Sequence, residues 1–504
     1  MKRRFNVKGV CIPTKHYMVD VSDRLEKLKV LVDAAKYLVI NRGHQYGKTT
    51  TLVAFVNYLA DEYPVISLNF QGLGEEIFSS EAKFCQAFLT KVATCLKRLN
   101  LATGWLNAQV ETFFELSQHL TAMCANQKFI LIIDETDVAS NYQVFLDFLG
   151  ILRDKYQLRA LGQDFTFHSV ILAGVYDLKK LNCGGSPWNI AWDFTERMAF
   201  SALDIASMLS DYEADQQTGM NLAEIAAEIY AYTSGYPFLV CRICEYLDEE
   251  LGKNWTTANV GKAVKLIIGE TRPNTLFDDL FQNVRNYPEL ADFLYGVLMT
   301  GKSYKFSQQN EVMAHALRYA FVRNVDHQLR LHNRIFEIIM ADYFISKERL
   351  AEDKAVYNRL EIDVFADGKF NIERFFEKFS DHYQLHYSQR SETFVEREAV
   401  FLFLFFLQPY LDEKGSYYLE SKPNLAVGKR MGVVIVYDQQ EFIIELKCWH
   451  GELYQQDAYR LLTDYVKQRD ANAGYLLTFD FRQQKEVKQE WISVHGTSIL
   501  EVQV

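Results

Sequence analysis

The triplet Gly47-Lys48-Thr49 stands where an apolar run ends and an amphipathic stretch begins. When a strand ends in a loop and a helix follows at once, the unpaired N–H groups at the helix N-terminus converge on an anion. The positive end of the helix dipole attracts the same anion. In this arrangement Lys48 is expected to reach the β- and γ-phosphates of a nucleotide, and the Thr49 hydroxyl is expected to ligate Mg²⁺.

The triplet is only part of a full phosphate-binding loop. The complete pattern GxxxxGK[ST] requires glycine at position 42, where this chain has Arg42, and the nearest glycine is Gly43. By itself, the triplet fits an ordinary turn at the start of a helix as well as it fits phosphate binding. Gln45, Tyr46 and Thr50 complete the set of residues expected to contact the nucleotide.

An acidic strand end supplies the second half of this candidate site. The run KFILIIDETD ends in Asp134 and Glu135, with Asp137 two residues further on. Ligands of a parallel sheet bind at the carboxyl ends of its strands, so Thr49 and Asp134 are expected to share one metal ion. Glu135 would then orient or activate the attacking water. The alternative is an acidic loop that merely closes a strand.

A further strand end falls at the same edge of the predicted sheet. The run SVILAGVYD ends in Tyr176 and Asp177, and this position would bring them close to the phosphates. Simple termination of the strand explains the two residues equally well.

Apolar runs alternate with amphipathic stretches from about residue 35 to 180, which is the pattern of a parallel α/β sheet. The runs are rich in Val and Ile without clean alternation, as expected for strands covered on both faces. The predicted strands are 36–41, 64–70, 128–134 and 168–175.

Beyond this sheet the pattern becomes helical and then mixed. Residues 186–265 are predicted to be helical, with a turn at Gly-Tyr-Pro just before one helix. Three or four short helices and a strand-like segment at 329–336 are expected next, followed by a polar connector helix. The remainder is predicted to be α+β, and its parts are a helix ending in the apolar run 399–407, strands 416–421, 430–437 and 441–448, a further helix and the strand GYLLTFDF.

Composition indicates a folded, multidomain chain. It has 504 residues, 49% of them hydrophobic and 24% charged, and its formal charge of −11 argues against a basic nucleic-acid coat. Its basic start lacks the apolar segment of a signal peptide, and its longest apolar run is too short to cross a bilayer. Eight cysteines are too few for a disulfide framework, and Cys241 and Cys244 are interpreted as core residues. A cytoplasmic location without membrane contact is expected.

Several segments together resemble a bacterial family of AAA-like ATPases that continue into a PD-(D/E)XK nuclease-like domain. They are FNVKGVCIPTKHYMVD, INRGHQYGKTTTL, LIIDETD, SVILAGVYDL, SPWNIA and YTSGYPFLV. The resemblance implies ATP binding by Gly47, Lys48, Thr49, Asp134 and Glu135. The family also carries arginine near position 42. A shorter segment between residues 177 and 186 departs from the family and removes a place for a phosphate-sensing residue.

The resemblance also implies an order of domains. A P-loop α/β ATPase core is expected at 1–185, a helical lid at 186–270, and a winged-helix-like module at 271–348. A connector at 349–374 then leads to an α+β, restriction-endonuclease-like domain at 375–504.

Two charged residues on one predicted strand suggest what the last domain does. Glu445 and Lys447 are two residues apart, so both point to one face of the strand. A carboxylate beside a lysine could bind Mg²⁺ and position a water for phosphodiester cleavage. The alternative is a half-exposed strand with an ion pair. The family pattern adds an acidic residue on the preceding helix, for which Glu396 or Glu398 is available.

One carboxylate of the family pattern is missing. The family has Asp near the start of the first hairpin strand, where this chain has Gly432. With the turn centred at 439–440, Gly432 is expected opposite Lys447 and next to Glu445. Leu461 also replaces a family glutamine. Because a divalent ion needs several oxygen ligands, we expect this domain to cleave poorly or not at all.

Three functions are compatible with these patterns. The first is an ATP-binding and ATP-hydrolysing switch with a degenerate nuclease-like domain, using ATP and Mg²⁺. The second is an active ATP-gated nuclease on mobile or foreign nucleic acid, and the third is a non-hydrolysing ATP-binding interaction protein. Nucleic acid and a second copy of the chain are possible partners. The basic residues Arg318, Arg323, Arg330 and Arg334 are only weak evidence for a nucleic-acid surface.

Overall fold

The structure of the chain, a computed structural model, consists of two compact units. The first consists of Met1–Gln282 with Gln308–Val322, and the second of Asn283–Ser307 with Arg323–Val504. The residues that the structure describes are 3–102, 109–175, 188–194, 198–269, 275–298, 304–307, 309–325, 327–351, 364–366, 369–387, 396–407, 410–411, 415–421, 431–438, 440–449, 451–469, 471–480, 482 and 487–504.

A parallel five-stranded sheet forms the centre of the first unit, in the order β2-β3-β4-β1-β5. The four predicted strands are confirmed within two residues at each end. The fifth was not predicted, because Trp192–Asp193 has no apolar run to mark it. The strands are β1 (Leu38–Asn41), β2 (Val65–Asn69), β3 (Ile130–Asp134), β4 (Ser169–Gly174) and β5 (Trp192–Asp193).

Helices cover this sheet, and every residue of β3 and β4 is buried. Aromatic side chains fill much of the core, since Phe84 and Phe88 of one helix pack on Phe148 of another. The helices are α1 (Ser22–Asp33), α2 (Lys48–Leu59), α3 (Glu81–Arg98), α4 (Phe113–Cys124) and α5 (Gln143–Ala160), with short 3-10 helices at Glu75–Ser79 and Thr136–Val138.

Four further helices complete the helical region predicted at 186–265. The predicted turn is confirmed, because α8 begins at Pro237, where the fixed φ of proline suits a first helical position. Cys241 and Cys244 are buried free thiols in that helix, as the core interpretation requires. The helices are α6 (Ala202–Gln216), α7 (Leu222–Thr233), α8 (Pro237–Glu249) and α9 (Thr257–Ile268).

The middle of the chain forms short helices and a three-stranded sheet in the order β6-β8-β7. The strand predicted at 329–336 is wrong at its end, because the side chain of Asn333 accepts a hydrogen bond from the Phe336 N–H and starts a helix. The elements are α10 (Thr275–Asn286), α11 (Pro288–Leu298), β6 (Tyr304–Lys305), α12 (Glu311–Arg318), β7 (Val322–Val325), β8 (Gln328–Leu331) and α13 (Arg334–Ala351). Much of the expected connector, 352–363, lies outside the described residues.

A mixed six-stranded sheet, β11-β12-β13-β14-β16-β15, dominates the second unit. The predicted strands and helices from 399 to 479 are confirmed, whereas the final hairpin was not predicted. The elements are β9 (Phe365–Ala366), β10 (Lys369–Phe370), α14 (Ile372–Tyr387), α15 (Glu396–Leu407), β11 (Gly415–Ser421), β12 (Met431–Tyr437), β13 (Gln440–Cys448), α16 (Glu452–Gln468), β14 (Ala473–Phe479), β15 (Lys488–Val494) and β16 (Thr497–Gln503). Within the described residues, no helix is both long and apolar enough to span a membrane.

Candidate nucleotide-binding site

The loop between β1 and α2 turns sharply at its last residue. Gly47 caps α2 with a φ of 85°, a left-handed conformation that glycine adopts without steric cost. Its carbonyl accepts a hydrogen bond of 3.0 Å from the Thr51 N–H, so the helix begins directly at Lys48. The free N–H groups of this first turn therefore face the loop, as expected from the sequence.

The Lys48 ammonium lies inside the loop and is 6% exposed as a residue. Its Nζ donates hydrogen bonds to the carbonyls of Arg42, at 2.8 Å, and Gly43, at 3.0 Å. Burial lowers the pKa of Lys48, and the nearby carboxylates of Asp137 and Glu135 act in the opposite direction. The loop thus holds a buried cation at the helix N-terminus.

The acidic end of β3 meets this loop. The Thr49 hydroxyl donates a hydrogen bond of 2.7 Å to Oδ2 of Asp134. The two elements, 85 residues apart in sequence, are therefore in direct contact, which is the proximity that the sequence patterns predicted. Two oxygen atoms of the type that Mg²⁺ prefers are brought together at this point.

Glu135 follows Asp134 in a left-handed conformation, with a φ of 56°. Its N–H donates to Oδ1 of Asp134 at 2.9 Å. The side chain of Glu135 is half-buried and lines a cavity beside the loop. Burial raises the pKa of Glu135, and the neighbouring Asp134 carboxylate raises that pKa further.

The turn after Glu135 is fastened to the end of β4. Both carboxylate oxygens of Asp137 lie 2.8 Å from the Val175 nitrogen, and the Thr136 hydroxyl donates to the Ala173 carbonyl at 3.0 Å. The next residues along the chain, 176 and 177, lie outside the described residues, so their expected position beside the phosphates stays a prediction.

Arg42 and Gly43 help to shape the loop from outside the cavity. The Arg42 guanidinium donates to the Asn41 carbonyl at 2.7 Å and to the Phe194 carbonyl at 3.4 Å. A Cβ atom built on Gly43 would lie 2.6 Å from the carbonyl oxygen of Tyr319. Neither residue lines the cavity, so their expected contact with the nucleotide stays a prediction.

The other loop residues do line the cavity. Gln45 has a φ of 54° and its side-chain amide donates to the Thr275 hydroxyl. Tyr46 is buried, and its ring meets the ring of Tyr236 edge-on, with centroids 4.8 Å apart. Thr50 accepts a hydrogen bond of 3.3 Å from the Cys11 N–H, which links the loop to the N-terminal part of the chain.

The cavity beside the loop has a volume of about 720 Å³. Small-molecule sites usually have volumes between roughly 300 and 1,000 Å³. The loop between β1 and α2 forms one wall of the cavity, and residues of α6 and α8 form another. Residues 6–11, near the N-terminus, form a third wall that the sequence patterns do not predict.

The N-terminal segment is anchored on the helical region. Arg3 forms ion pairs with Asp211 and Asp215, at 3.2 and 3.0 Å. Behind it lies an aromatic cluster, whose closest ring centroids are 4.9 to 5.9 Å apart. In the sequence, only the segment FNVKGVCIP indicates a role for this part of the chain. Its anchoring ion pairs join residues about 210 positions apart, so no local pattern predicts them. The cluster consists of Phe5, Tyr17, Tyr212 and Trp255.

The second unit contains the predicted Glu445–Lys447 pair. Lys447 Nζ lies 3.3 Å from Glu445 Oε1, and their side chains are only 1% and 7% exposed. The ion pair of the alternative interpretation is therefore present, but this part of the strand is buried rather than half-exposed. Burying two charges costs the free energy of their hydration. A buried ion pair is therefore weak evidence that the pair stabilises the fold.

The register predicted for this hairpin is wrong by two residues. Tyr437 pairs with Gln440, so the turn is a two-residue turn with Asp438 in a left-handed conformation, φ 47°. Gly432 therefore pairs with Glu445 rather than with Lys447. A Cβ atom at position 432 would lie 3.5 Å from Oε2 of Glu445.

The helix expected to carry a further acidic residue does begin at Glu396. The side chains of Glu396 and Glu398 are outside the described part of the structure, so their roles stay predictions. In the part of the chain that the structure describes, no group of three or more His, Cys, Asp or Glu side chains is arranged to hold a metal ion.

The sequence is similar to one curated protein, and the fold is similar to several solved structures. An uncharacterized WD repeat-containing protein of Synechocystis sp. is 23% identical over 368 residues, which cover 68% of this chain and 30% of that protein. The chain thus spans less than a third of that relative.

Three solved structures have weak similarity to this fold. The Walker-type ATPase of Pyrococcus abyssi is 12% identical, with a TM-score of 0.48 over 67% of this chain and 99% of that chain. The Cdc6p protein of Pyrobaculum aerophilum is 17% identical, with a TM-score of 0.33 over 68% and 98% of the two chains. The ORC2 protein of Aeropyrum pernix, solved in ADPNP–ADP complexes, is 12% identical, with a TM-score of 0.39 over 70% and 99%.

The family model of the AAA-like domain matches residues 19–338, which are 320 of the 504 residues. The matched region contains the loop of Lys48, the acidic end of β3 and the four helices α6 to α9. The chain belongs to the AAA-like domain family.

Proposed function

We propose that this protein binds ATP in the 720 Å³ cavity and hydrolyses it as a molecular switch. The observation that carries the proposal is the 2.7 Å hydrogen bond between Thr49 and Asp134, beside the buried ammonium of Lys48. This contact joins a helix N-terminus suited to phosphate with a carboxylate suited to a divalent cation. Membership of the AAA-like domain family agrees with it.

The cavity offers complementary surfaces to the two ends of ATP. The first turn of α2 and the Lys48 ammonium provide N–H donors and positive charge for the phosphates. Away from the loop, part of the wall is apolar and suits a flat purine base. The apolar wall residues include Val7, Val10, Val19, Met198 and Phe200.

The residues present fit a magnesium ion as well. Thr49 and Asp134 would hold it, and phosphate and water oxygens would complete its coordination. When bound, Mg²⁺ neutralises developing negative charge on the phosphates. The hydrogen bond between Thr49 and Asp134 already brings both oxygen ligands to one point.

Glu135 is the group proposed to act on the attacking water. Glu135 follows Asp134 in the chain and lines the cavity, where its carboxylate would accept a proton from the water. Burial raises its pKa, which makes the carboxylate a stronger base than an exposed glutamate.

Two variants test the proposal. Lys48→Ala removes the buried cation and should weaken MgATP binding by about 10- to 100-fold, since hydrogen bonds to charged groups contribute about 1.5–3 kcal/mol. Glu135→Gln should leave the Kd nearly unchanged and lower kcat by about 100-fold or more. Binding is measured by calorimetric titration with and without Mg²⁺, and turnover by phosphate release.

Lys83→Ala is the matched control, because Lys83 is half-exposed and forms only a surface ion pair with Glu76. If Lys48→Ala binds MgATP as tightly as the natural protein, the proposed nucleotide site is disproved. Binding without any Glu135-dependent phosphate release would leave a non-hydrolysing ATP-binding interaction protein.

For the C-terminal domain we propose a degenerate PD-(D/E)XK nuclease-like fold that does not cleave nucleic acid. We also propose the five-part domain division that the family resemblance implies. The supporting observation is the absence of a side chain at Gly432, the position directly opposite Glu445. A carboxylate there would lie beside Oε2 of Glu445, where it would supply a second oxygen ligand for a metal ion. Without it, Lys447 is the charged partner of Glu445.

Gly432→Asp tests this second proposal, alone and together with Leu461→Gln. Plasmid DNA and single-stranded RNA are incubated with each protein and Mg²⁺. The natural protein should leave both intact, whereas Gly432→Asp should increase nicking in a way that Glu445→Gln abolishes. Glu445-dependent nicking by the natural protein would instead identify an active, Mg²⁺-dependent nuclease.

A further inference from the structure

The turn that carries Glu135 is held in an unfavourable backbone conformation. A left-handed φ such as the 56° of Glu135 is unfavourable for a non-glycine residue, because the Cβ atom then lies too close to the following carbonyl oxygen. Such a conformation persists only where the surrounding structure enforces it, and it often accompanies function. The contacts that enforce it here therefore bear on what Glu135 does.

Contacts on both sides of Glu135 enforce this conformation. Before it, the Asp134 carboxylate accepts the Glu135 N–H at 2.9 Å. After it, both oxygens of the Asp137 carboxylate lie 2.8 Å from the Val175 nitrogen at the end of β4. Asp137 lies within the 3-10 turn Thr136–Val138, and only Thr136 separates it from Glu135, so the backbone between the two contacts has little freedom.

The approach of the two chain segments is close enough to require glycine. A Cβ atom built on Gly174 would lie 2.7 Å from the Thr136 hydroxyl and 2.8 Å from Oδ1 of Asp137. The Thr136 hydroxyl also donates to the Ala173 carbonyl at 3.0 Å. The end of β4 is therefore packed directly against the turn, and the Asp137 carboxylate fixes the distance between them.

We propose that Asp137 is a positioning residue for ATP hydrolysis: its carboxylate ties the turn to Val175 and so holds Glu135 aimed into the nucleotide cavity. This inference rests on the proposed ATPase function. Asp137 does not line the cavity, and it acts through Glu135 rather than on the nucleotide. Its contribution is the acceptor geometry at the Val175 N–H.

The acceptor geometry of Asp137 and its charge can be separated, because substitutions of Asp137 change one without the other. The Asp137 carboxylate is one of the groups that raise the pKa of Glu135, since like charges repel. Asp137→Asn removes that charge but keeps an acceptor oxygen of the same size. Asp137→Ala removes the acceptor, and Asp137→Glu keeps the charge but moves it outward by one methylene.

The experiment measures three quantities on the full chain: the Kd for a non-hydrolysable ATP analogue with Mg²⁺, the kcat for phosphate release, and the melting temperature. Asp137→Ala and Asp137→Glu should lower kcat by about 100-fold, since a displacement of about 1 Å in a catalytic group has that effect. Their Kd should stay within about threefold of the natural value. Asp137→Asn should restore kcat to within about threefold.

Ser140→Ala is the matched control. Ser140 is buried in the same turn and donates to the main-chain carbonyl of Asp137 at 2.9 Å. It should change the melting temperature while kcat stays within about threefold of the natural value. If Asp137→Ala does not fold, a comparison of Asp137→Asn with Asp137→Glu still distinguishes acceptor geometry from charge. The first keeps the acceptor without the charge, and the second keeps the charge but moves the acceptor.

Three outcomes would overturn the proposal. Asp137→Ala or Asp137→Glu with natural kcat shows that the tether is dispensable. Parallel loss of binding and kcat shows a general structural role in the pocket, and loss of kcat in Asp137→Asn as large as in Asp137→Ala shows that the charge is what matters. Failure of the ATPase function itself is recognised separately, because then Lys48→Ala and Glu135→Gln match the natural protein.

Discussion

Four charged side chains are concentrated at the proposed phosphate site. Lys48 is buried within the loop, and Asp134, Glu135 and Asp137 all lie near enough to influence its pKa. Their effects oppose one another: burial lowers the pKa of Lys48, while the carboxylates favour its charged form. The same burial raises the pKa of Glu135. Ionisation at this site therefore depends on neighbours that a single substitution can remove.

The raised pKa of Glu135 predicts the pH dependence of ATP hydrolysis. A general base must be deprotonated, so kcat should fall as the pH is lowered through the pKa of Glu135. That pKa lies above the 4.5 of an ordinary glutamate, and the acidic limb should lie correspondingly higher. Because the Asp137 carboxylate contributes to the increase, Asp137→Asn should move the limb to lower pH. The profile of kcat against pH for both proteins is the measurement, and identical limbs would contradict it.

Gly43 should not tolerate a side chain. In Gly43→Ala, the new Cβ atom would lie 2.6 Å from the Tyr319 carbonyl oxygen, so the loop or the end of α12 must shift. Overpacking of this kind costs about 1–3 kcal/mol of the free energy of unfolding. Urea denaturation should show that loss, and the Kd for MgATP should rise because Gly43 also supplies a carbonyl to Lys48.

Gly74→Ala provides the control for that substitution. Gly74 has a φ of −67°, and no atom of the described residues would lie within 4 Å of a Cβ atom built there, so alanine fits without strain. Equal stability of the two variants would show that the Tyr319 carbonyl does not restrict position 43.

At the scale of elements, one wall of the proposed ATP site depends on how the N-terminal segment is anchored. Residues 6–11 line the cavity, while the residues on either side of them pack on α6 and on Trp255. Phe5 is central to this anchorage, since its ring is 5.0 Å from Tyr17 and 5.2 Å from Tyr212. The wall and the helical region are therefore coupled through one aromatic cluster.

Phe5→Ala should weaken both folding and ATP binding. The ring is 2% exposed, and removing a buried phenylalanine side chain typically costs about 3–5 kcal/mol. Loss of the anchor should release residues 6–11 and raise the Kd for MgATP. Phe114→Ala is the control, because Phe114 is 72% exposed. A Phe5→Ala protein that binds MgATP as tightly as the natural protein would show that this wall is not needed.

At the scale of the whole molecule, the path of the chain links its two units. Residues 308–322 belong to the first unit, although the residues on both sides of them belong to the second. Within the first unit, the Tyr319 carbonyl packs on Gly43 of the loop between β1 and α2. Gly43 therefore contacts a segment of the first unit whose flanking residues in the chain belong to the second unit.

The second unit contains a contact that should respond to pH. The hydroxyl of Tyr417, on β11, donates to the Asp342 carboxylate on α13, and burial raises the pKa of Asp342 to about 6. The folded state then binds a proton that the unfolded state has released, between the unfolded value of 3.8 and about 6. Stability from this group is therefore greatest below that range and is lost as the pH rises through about 6.

Asp342→Asn should remove this dependence. Asparagine stays neutral, so the difference in melting temperature between about pH 5 and about pH 7, one unit on either side of the shifted pKa, should become smaller than in the natural protein. Tyr417→Phe is the companion variant, since it removes the hydroxyl and leaves the carboxyl in place. An unchanged pH dependence in Asp342→Asn would show that other groups are responsible.

Much of the proposed site follows from local sequence. Lys48 and Thr49 are expected at a helix N-terminus because an apolar run and an amphipathic stretch flank them, and Asp134 is expected at a strand end because four aliphatic residues precede it. Parallel pairing places such strand ends at one edge of the sheet, so their convergence was predictable. Strand β5 was missed because two exposed residues give no periodic pattern.

Only the tertiary structure shows which residues far apart in the chain are in contact. The N-terminal wall, the Tyr319 carbonyl against Gly43 and the Asp137 tether to Val175 join segments between 38 and about 275 residues apart. The pairing of Gly432 with Glu445 depends on whether the hairpin turn has two residues or more. Local patterns specify which elements form and which face is apolar, whereas packing and register depend on the free energy of the whole folded chain.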